Sequence, residues 1–243
     1  MCGHLYLVST PIGNLEDFTF RAVKILSGVD IIFAESVERT KKLLSHYDID
    51  AKVISLNKDN EKRKIKNAIA CLKDSKSIAL VSDAGTPCVS DPGFYLLSNL
   101  DEEIKVIPIP GASSITCALS VSKIPMNGFT FLGFLPKKEN DRKNKLLQAY
   151  STELPLCIFE SKHRLMDLLE EISSIFGEDT LVGLFREMTK IYETITHKSV
   201  TEHIFDLKKN TPKGEFVIIV APNRHVEIEK PYISIIKRLI LKN

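Results

Sequence analysis

Several absences narrow the field before any motif is considered. No two of the five cysteines (Cys2, Cys71, Cys88, Cys117, Cys157) form a C-x-x-C pair, and their number is odd. The pattern argues against a disulfide framework and reads as reduced thiols, mostly core fillers, in a cytoplasmic protein. The six histidines (His4, His46, His163, His197, His203, His225) show no H-x-x-x-H spacing and no cysteine companions, so no metal site is expected. No apolar run approaches the roughly 18 residues of a membrane span. The opening Met1-Cys2-Gly3-His4 lacks the basic-then-apolar order of a secretory signal. There is no internal repeat, and charge of one sign is not in surplus: 33 Lys+Arg against 31 Asp+Glu give +2. That balance argues against a nonspecific nucleic-acid binder. Neither G-x-G-x-x-G nor G-x-x-x-x-G-K-[ST] occurs, which removes the usual dinucleotide and P-loop phosphate cradles.

What is present is an ordinary globular composition, 44% hydrophobic and 26% charged. Short apolar runs at 5–9, 30–34, 53–56, 78–82 and 106–109 alternate with helical patterns at 20–26, 39–46, 62–72, 94–100 and 113–121. Such alternation predicts a parallel sheet covered on both faces. The pattern breaks at Ile124-Pro125-Met126-Asn127-Gly128. Beyond it, runs at 129–134, 156–159, 180–185, 192–196 and 215–220 read as strands, with helices at 143–150 and 164–176. The second helix carries an apolar stripe of Leu165, Leu168, Leu169, Ile172, Ile175 and Phe176. Fewer helices among more strands predict an α+β unit with a mixed sheet. Two domains are therefore expected, 1–124 and 125–243. The first holds 15 cations and 15 acids and the second 18 and 16, so the whole surplus falls in the second.

Three loops of small residues each follow a strand of the first half. They are Ser9-Thr10-Pro11-Ile12-Gly13-Asn14, then Ser82-Asp83-Ala84-Gly85-Thr86-Pro87 continuing to Ser90-Asp91-Pro92-Gly93, then Ile109-Pro110-Gly111-Ala112-Ser113-Ser114. Any one of them could be a simple turn. Three at the carboxyl ends of strands in one sheet point to a shared ligand cleft, where small side chains let backbone groups do the recognising. A nucleoside without phosphates suits such loops better than a nucleotide.

The run Leu7-Val8-Ser9-Thr10-Pro11-Ile12-Gly13-Asn14-Leu15-Glu16-Asp17 resembles the opening of the tetrapyrrole-methylase superfamily, as do Val81 to Pro87 and Ile109-Pro110-Gly111. Within it, the chain is most similar to the branch that methylates the ribose 2′-oxygen of a cytidine (cytidine 1402) in 16S ribosomal RNA. The branch-specific marks are T-P-I-G-N-L, S-D-A-G-T-P, Ser90-Asp91-Pro92-Gly93 and Gly133-Phe134-Leu135-Pro136. They continue with Phe159-Glu160-Ser161-Lys162-His163-Arg164, Arg186-Glu187-Met188-Thr189-Lys190 with Glu193, and Lys213-Gly214-Glu215, in order over residues 5–221.

The resemblance implies a two-domain class III methyltransferase fold, α/β, with a parallel-sheet N-terminal domain and an α+β mixed-sheet C-terminal domain. It implies S-adenosyl-L-methionine in a cleft between the domains, a homodimer, and 16S rRNA within the small ribosomal subunit as substrate. The donor would contact Pro11, then Asp83, Ala84, Gly85, Thr86 and Val89, then Ser113 and Ser114, with Glu160 and Met188 from the second domain. Asp83 could instead cap its own loop, and the two serines could cap the next helix. The segment 35–40, Glu35-Ser36-Val37-Glu38-Arg39-Thr40, departs from the branch's E-D-T-R-x-T, and Lys162 replaces the proline of Y-E-S-P-H-R. Two other functions stay open: a uroporphyrin or precorrin C-methyltransferase, against which the glycine-poor first loop speaks, and a noncatalytic binding protein that keeps the fold.

Transfer from a sulfonium needs alignment, and a weakly acidic 2′-hydroxyl gains from a base or a polarising cation. Candidates are Glu35, Arg186, Glu187 and Lys190. The alternative for Glu187 is an ion pair with Arg186 or Lys190, and for Glu35 a helix N-terminal charge. For RNA contact, segments 58–66 and 137–145 each hold five cations against two acids. Charge runs are often only solvated faces. The second is the favoured RNA contact, since it follows Pro136 at the mouth of the expected cleft. Neither contains an aromatic residue.

Overall fold

The computed structural model describes residues 3–210 and 213–221. Cys2, His225 and the end of the expected second domain lie outside them. The chain divides into two compact units, one running to Ser114 and the other from Ile115.

The first unit runs β1 (His4–Val8), a 3₁₀ turn (Leu15–Asp17), α1 (Phe20–Gly28), β2 (Ile31–Ala34), α2 (Val37–His46), β3 (Val53–Ser55), α3 (Glu61–Lys73), β4 (Ile78–Val81), α4 (Phe94–Leu97) and β5 (Lys105–Ile109). The strands lie in the order β3-β2-β4-β1-β5, and every neighbouring pair is parallel. β2 and β4 are buried along their whole length, because helices cover both faces and both residue parities need apolar side chains. Ile32 and Ala34 pack with Ala22, Leu26, Leu43 and Leu44 of α1 and α2. Ile31 and Phe33 pack with Ile65, Ala68, Leu72 and Leu96 of α3 and α4. The two-residue period of the strand thus builds two cores. α1 starts where Thr19 accepts the Ala22 N–H at 3.1 Å, a side-chain cap.

α5 (Ser114–Ser120) starts on the last residue of the first unit, and the second continues with β6 (Thr130–Phe134), α6 (Glu139–Tyr150), β7 (Leu156–Ser161), α7 (Leu165–Phe176), β8 (Leu181–Arg186), β9 (Thr194–Ser199), α8 (Val200–Lys209) and β10 (Glu215–Val220). Its sheet has the order β6-β7-β10-β8-β9, parallel only between β6 and β7. The apolar stripe of α7 is buried with Leu146, Leu147, Val200 and Leu207 against Ile158, Val182, Leu184 and Ile218.

Three elements differ from the sequence reading. α6 starts at Glu139 and takes in most of the second basic tract. α4 is one turn long. α8 has no counterpart in the reading, because His203 interrupts its apolar stripe. A signal for it was available: Ser199 and Glu202 form a reciprocal capping box.

Candidate functional site

β4, β1 and β5 are neighbours in the first sheet. The three small-residue loops therefore leave the carboxyl ends of three adjacent parallel strands, where open α/β sheets bind ligands. They are stitched together through their backbones. Thr10 N–H donates to Gly85 O at 2.9 Å, Gly85 N–H returns to Thr10 O at 3.0 Å, and Ser9 N–H reaches Ile109 O at 3.1 Å. The Ser9 and Thr86 hydroxyls lie 2.9 Å apart, and Thr10 Oγ1 donates to Ser82 O at 3.2 Å. Gly85 has φ +78°, and a Cβ there would touch Ile12 at 3.4 Å and Ala112 O at 3.7 Å. The middle loop thus threads between the other two.

The structure brings Pro11, Asp83, Ala84, Gly85, Thr86, Val89, Ser113 and Ser114 to this end of the sheet. Pro11 and Gly85 are buried, while Ala84 and Val89 are exposed. Ser113 stands directly before α5 and Ser114 is its first residue. Asp83 accepts the Ser36 N–H at 3.0 Å and pairs with Arg39 at 3.1 Å. The arginine that stands one place late in segment 35–40 therefore engages this loop. Glu35 accepts the Asp83 N–H at 3.4 Å. Asp91, absent from the sequence-derived candidates, has its carboxyl pushed up to about 6 by burial, and next by the nearby Glu35 charge, against the opposing pull of Lys58. Its signal in the sequence was the acid of the S-D-P-G turn, the second acid of the 82–93 loop after Asp83.

The second unit holds the other candidates. Glu160 is only 2% exposed. Its Oε1 accepts the Ser161 N–H at 2.8 Å, and its Oε2 has no hydrogen-bond donor among the described residues, with Arg164 Nη2 3.4 Å away. Met188 is buried in the β8–β9 turn between Glu187 (φ 50°) and Thr189 (φ 65°), both left-handed. A hydrogen-bond web holds that turn. Glu187 accepts from Lys190 at 3.1 Å and from the Glu215 N–H at 2.9 Å, and Lys190 also reaches Glu215 at 2.9 Å. Arg186 donates to the carbonyls of Lys213 at 2.5 Å and Tyr192 at 3.2 Å. Burial raises the Glu187 carboxyl, but the Glu215 N–H and Lys190 outweigh it and hold the group below its ordinary value.

Three of the five cations of the favoured basic tract are engaged within the unit, and Lys137 and Lys138 are exposed. Arg142 and Glu171 are buried and joined by two bonds of 2.6 Å, Lys143 pairs with Glu139 at 2.6 Å, and Lys145 donates to Leu132 O at 3.2 Å. Among the described residues no cluster of His, Cys, Asp and Glu could hold a metal ion. No described helix is long and apolar enough to cross a membrane. Cys71, Cys88, Cys117 and Cys157 are free thiols, and only Cys157 is fully buried, which pushes it up to about 12.

A doubly wound parallel sheet with backbone-lined loops at its carboxyl edge, followed by a mixed-sheet unit, defines a class III methyltransferase fold. Solved structures share it at low identity. Cobalt precorrin-4 methyltransferase aligns with TM-score 0.68 and 16% identity over 90% of this chain and 94% of its own. Diphthine synthase aligns with TM-score 0.68 and 14% identity over 97% and 95%. The family model for tetrapyrrole (corrin/porphyrin) methylases matches residues 4–203, and the chain belongs to that family. The methyl donor of the family is S-adenosyl-L-methionine. Among its relatives is the ribosomal RNA small subunit methyltransferase I of Halalkalibacterium halodurans, 45% identical over 91% of this chain and 76% of that protein. The protein of the same name from Escherichia coli O157:H7 is 42% identical over 94% and 81%.

The loops of the first unit, taken by themselves, fit the donor. The stitched loops offer small side chains and accessible backbone in the first unit. In the second, Glu160 Oε2 is a buried acceptor with spare capacity for an amine or hydroxyl.

Proposed function

We propose that this protein transfers a methyl group from S-adenosyl-L-methionine to the ribose 2′-oxygen of a cytidine, cytidine 1402, in 16S ribosomal RNA of the small subunit. It acts as a cytoplasmic homodimer. The observation that carries this reading is identity of 42–45% over more than nine-tenths of the chain to proteins named for small-subunit ribosomal RNA methylation. The tetrapyrrole enzyme named above shares only 16%. The first loop agrees, since Ser9-Thr10-Pro11-Ile12-Gly13-Asn14 carries a single glycine, Gly13, in place of the glycine-richer loop of the tetrapyrrole enzymes.

The donor, when bound, supplies an electrophilic methyl carbon on a sulfonium leaving group. The chain's part is alignment, exclusion of water and removal of the 2′-hydroxyl proton. Pro11, the 83–86 backbone, Val89, Ser113 and Ser114 would position the donor from the first unit, and Glu160 and Met188 from the second. Of the four residues considered for proton transfer, Glu187 and Lys190 neutralise each other and Arg186 holds main-chain carbonyls. Their role is to shape the turn that carries Met188. Glu35 is the better base, because its carboxylate bears one long hydrogen bond and stands at the carboxyl end of β2.

Mapping 2′-O-methylation in ribosomal RNA from cells with and without the gene tests the substrate, and calorimetry with pure protein tests the donor. One small-subunit ribose methyl mark is expected to vanish. An unchanged small-subunit map would refute the assignment, and absence of S-adenosylmethionine binding would refute the enzymatic reading.

A further inference from the structure

The first basic tract, 58–66, meets two aromatic residues that lie far from it in sequence. Phe94 and Tyr95 open the one-turn helix α4 and are 72% and 39% exposed. Bare apolar residues occur elsewhere on the chain, Phe20 being 95% exposed, so what sets Phe94 and Tyr95 apart is the cationic helix beside them. Both are held beside α3 by Glu61, whose Oε1 accepts the N–H groups of Gly93 and Leu96, each at 3.1 Å. The acid of the tract is thereby spent on the backbone of α4. Lys62 Nζ stands 5.9 Å over the Tyr95 ring, a cation–π approach. Lys58 Nζ donates to Ser90 O at 3.4 Å, tying the tract to the same loop that carries Gly85 and Asp91. Lys62 and Lys66 share one face of α3 and Lys58 lies in the turn before it; all three are exposed, as is Arg63. Among the described residues, none of Lys62, Arg63 and Lys66 forms a salt bridge. The nearest exposed acid on the tract is Asp59.

We propose that the α3–α4 face binds an unpaired strand of the ribosomal RNA substrate, with Phe94 and Tyr95 stacking bases and Lys58, Lys62 and Lys66 taking phosphates. Rings give sequence-tolerant stacking on the π-face of any base, and a row of lysines tracks a backbone. A purely apolar partner would leave the lysines uncompensated, and a duplex would leave the rings unused. The face adjoins the 82–93 loop, so a strand held here runs toward the end of the sheet where the donor loops lie. This inference rests on the ribosomal RNA reading and adds a surface that the reading does not require.

The test uses the full chain and a fluorescein-labelled oligocytidylate, read by anisotropy over a salt series. Size-exclusion light scattering and methylation of small subunits lacking the mark accompany it. Phe94→Ala is expected to weaken binding roughly five- to a hundredfold, the range found for loss of one stacked base. Lys62→Ala should lower the slope of log K against log salt by about 0.7, the single-strand value for one phosphate. Lys143→Ala, the same charge loss in the other tract, should leave that slope unchanged. Equal affinity and slope for wild type, Phe94→Ala and Lys62→Ala, while wild type still methylates subunits, would overturn the inference and leave the function standing. A change of oligomeric state in Phe94→Ala with RNA affinity intact would overturn it too, by showing that the face pairs copies of the chain. Wild-type protein that neither binds nor methylates ribosomal RNA would fail the functional reading itself.

Discussion

Replacing Glu171 by leucine tests whether the second basic tract belongs to the fold or to the surface. Arg142 and Glu171 have side chains only 7% and 8% exposed and face each other through Nε–Oε2 and Nη2–Oε1 contacts of 2.6 Å. Burial counts against the Arg142 charge, yet its hydrogen bonds to Glu171 keep the guanidinium above its ordinary value. Glu171→Leu leaves a buried cation whose remaining partners are the carbonyls of Pro136, at 3.5 Å, and Lys137, at 3.2 Å. Breaking a buried pair from one side costs about 3–5 kcal/mol. For a chain of this length that is a fall in Tm of roughly 6–20 °C. Arg142→Met with Glu171→Leu removes both desolvation penalties and is expected to return to within about 1 kcal/mol of wild type. Urea denaturation followed by circular dichroism on the four proteins of the cycle gives the coupling energy directly. Because Arg142 is inside, the double variant should bind RNA with the wild-type salt slope. A single variant within about 1 kcal/mol of wild type, or a double variant that loses RNA affinity, would refute the assignment of this arginine to the interior.

Asp91 should make stability fall as pH rises. Its folded value of about 6 lies above the ordinary 3.8, so its contribution is full below about pH 4 and is lost as pH passes 6. Discounted for solvent screening, the loss is about 1–2 kcal/mol. A difference between wild type and Asp91→Asn that did not vary over that window would refute it. Gly93→Ala, at φ +126° with a Cβ only 2.6 Å from Leu80 and Cys88, should destabilise by about 2–4 kcal/mol. Gly85→Ala meets only ordinary contacts and should cost about 1–2 kcal/mol, with the larger loss in donor affinity by calorimetry. Glu35→Gln is expected to lower kcat roughly a hundredfold or more with donor affinity held, as for a lost general base. Glu187→Gln should lower kcat far less, and the reverse order in single-turnover methylation would exchange their roles.

The parts of the fold that could be read from sequence are those written locally. β2 and β4 appear as uninterrupted apolar runs because each is buried on both faces. The three loops appear because turn residues must sit where a parallel strand ends. The adjacency of those loops was not in the string. It depends on the order β3-β2-β4-β1-β5, which puts β1 between β4 and β5. α8 was missed because its inward face includes His203, whose Nε2 lies 2.9 Å from Val182 O. A donor in that position satisfies the carbonyl, and burial holds the imidazole below its ordinary value. An apolar-stripe criterion does not register a polar residue whose partner is supplied by another strand.

The two lysine tracts make the same point about charge. Their compositions are identical in sign and number, five cations against two acids, so no count separates them. The distinction is where the acids and the backbone acceptors spend themselves. In 137–145 three of the five cations find partners, Arg142 in a buried pair with an acid 29 residues away, Lys143 at the surface with Glu139 and Lys145 with a strand carbonyl, while Lys137 and Lys138 stay exposed. In 58–66 it is Glu61 that is taken up, by the backbone of α4. Lys62 and Lys66 are left outside beside Phe94 and Tyr95, rings that no sequence window centred on the tract would include. A near-neutral chain can therefore carry a cationic face without any surplus of lysine, because long-range pairing removes acids from the surface as readily as bases.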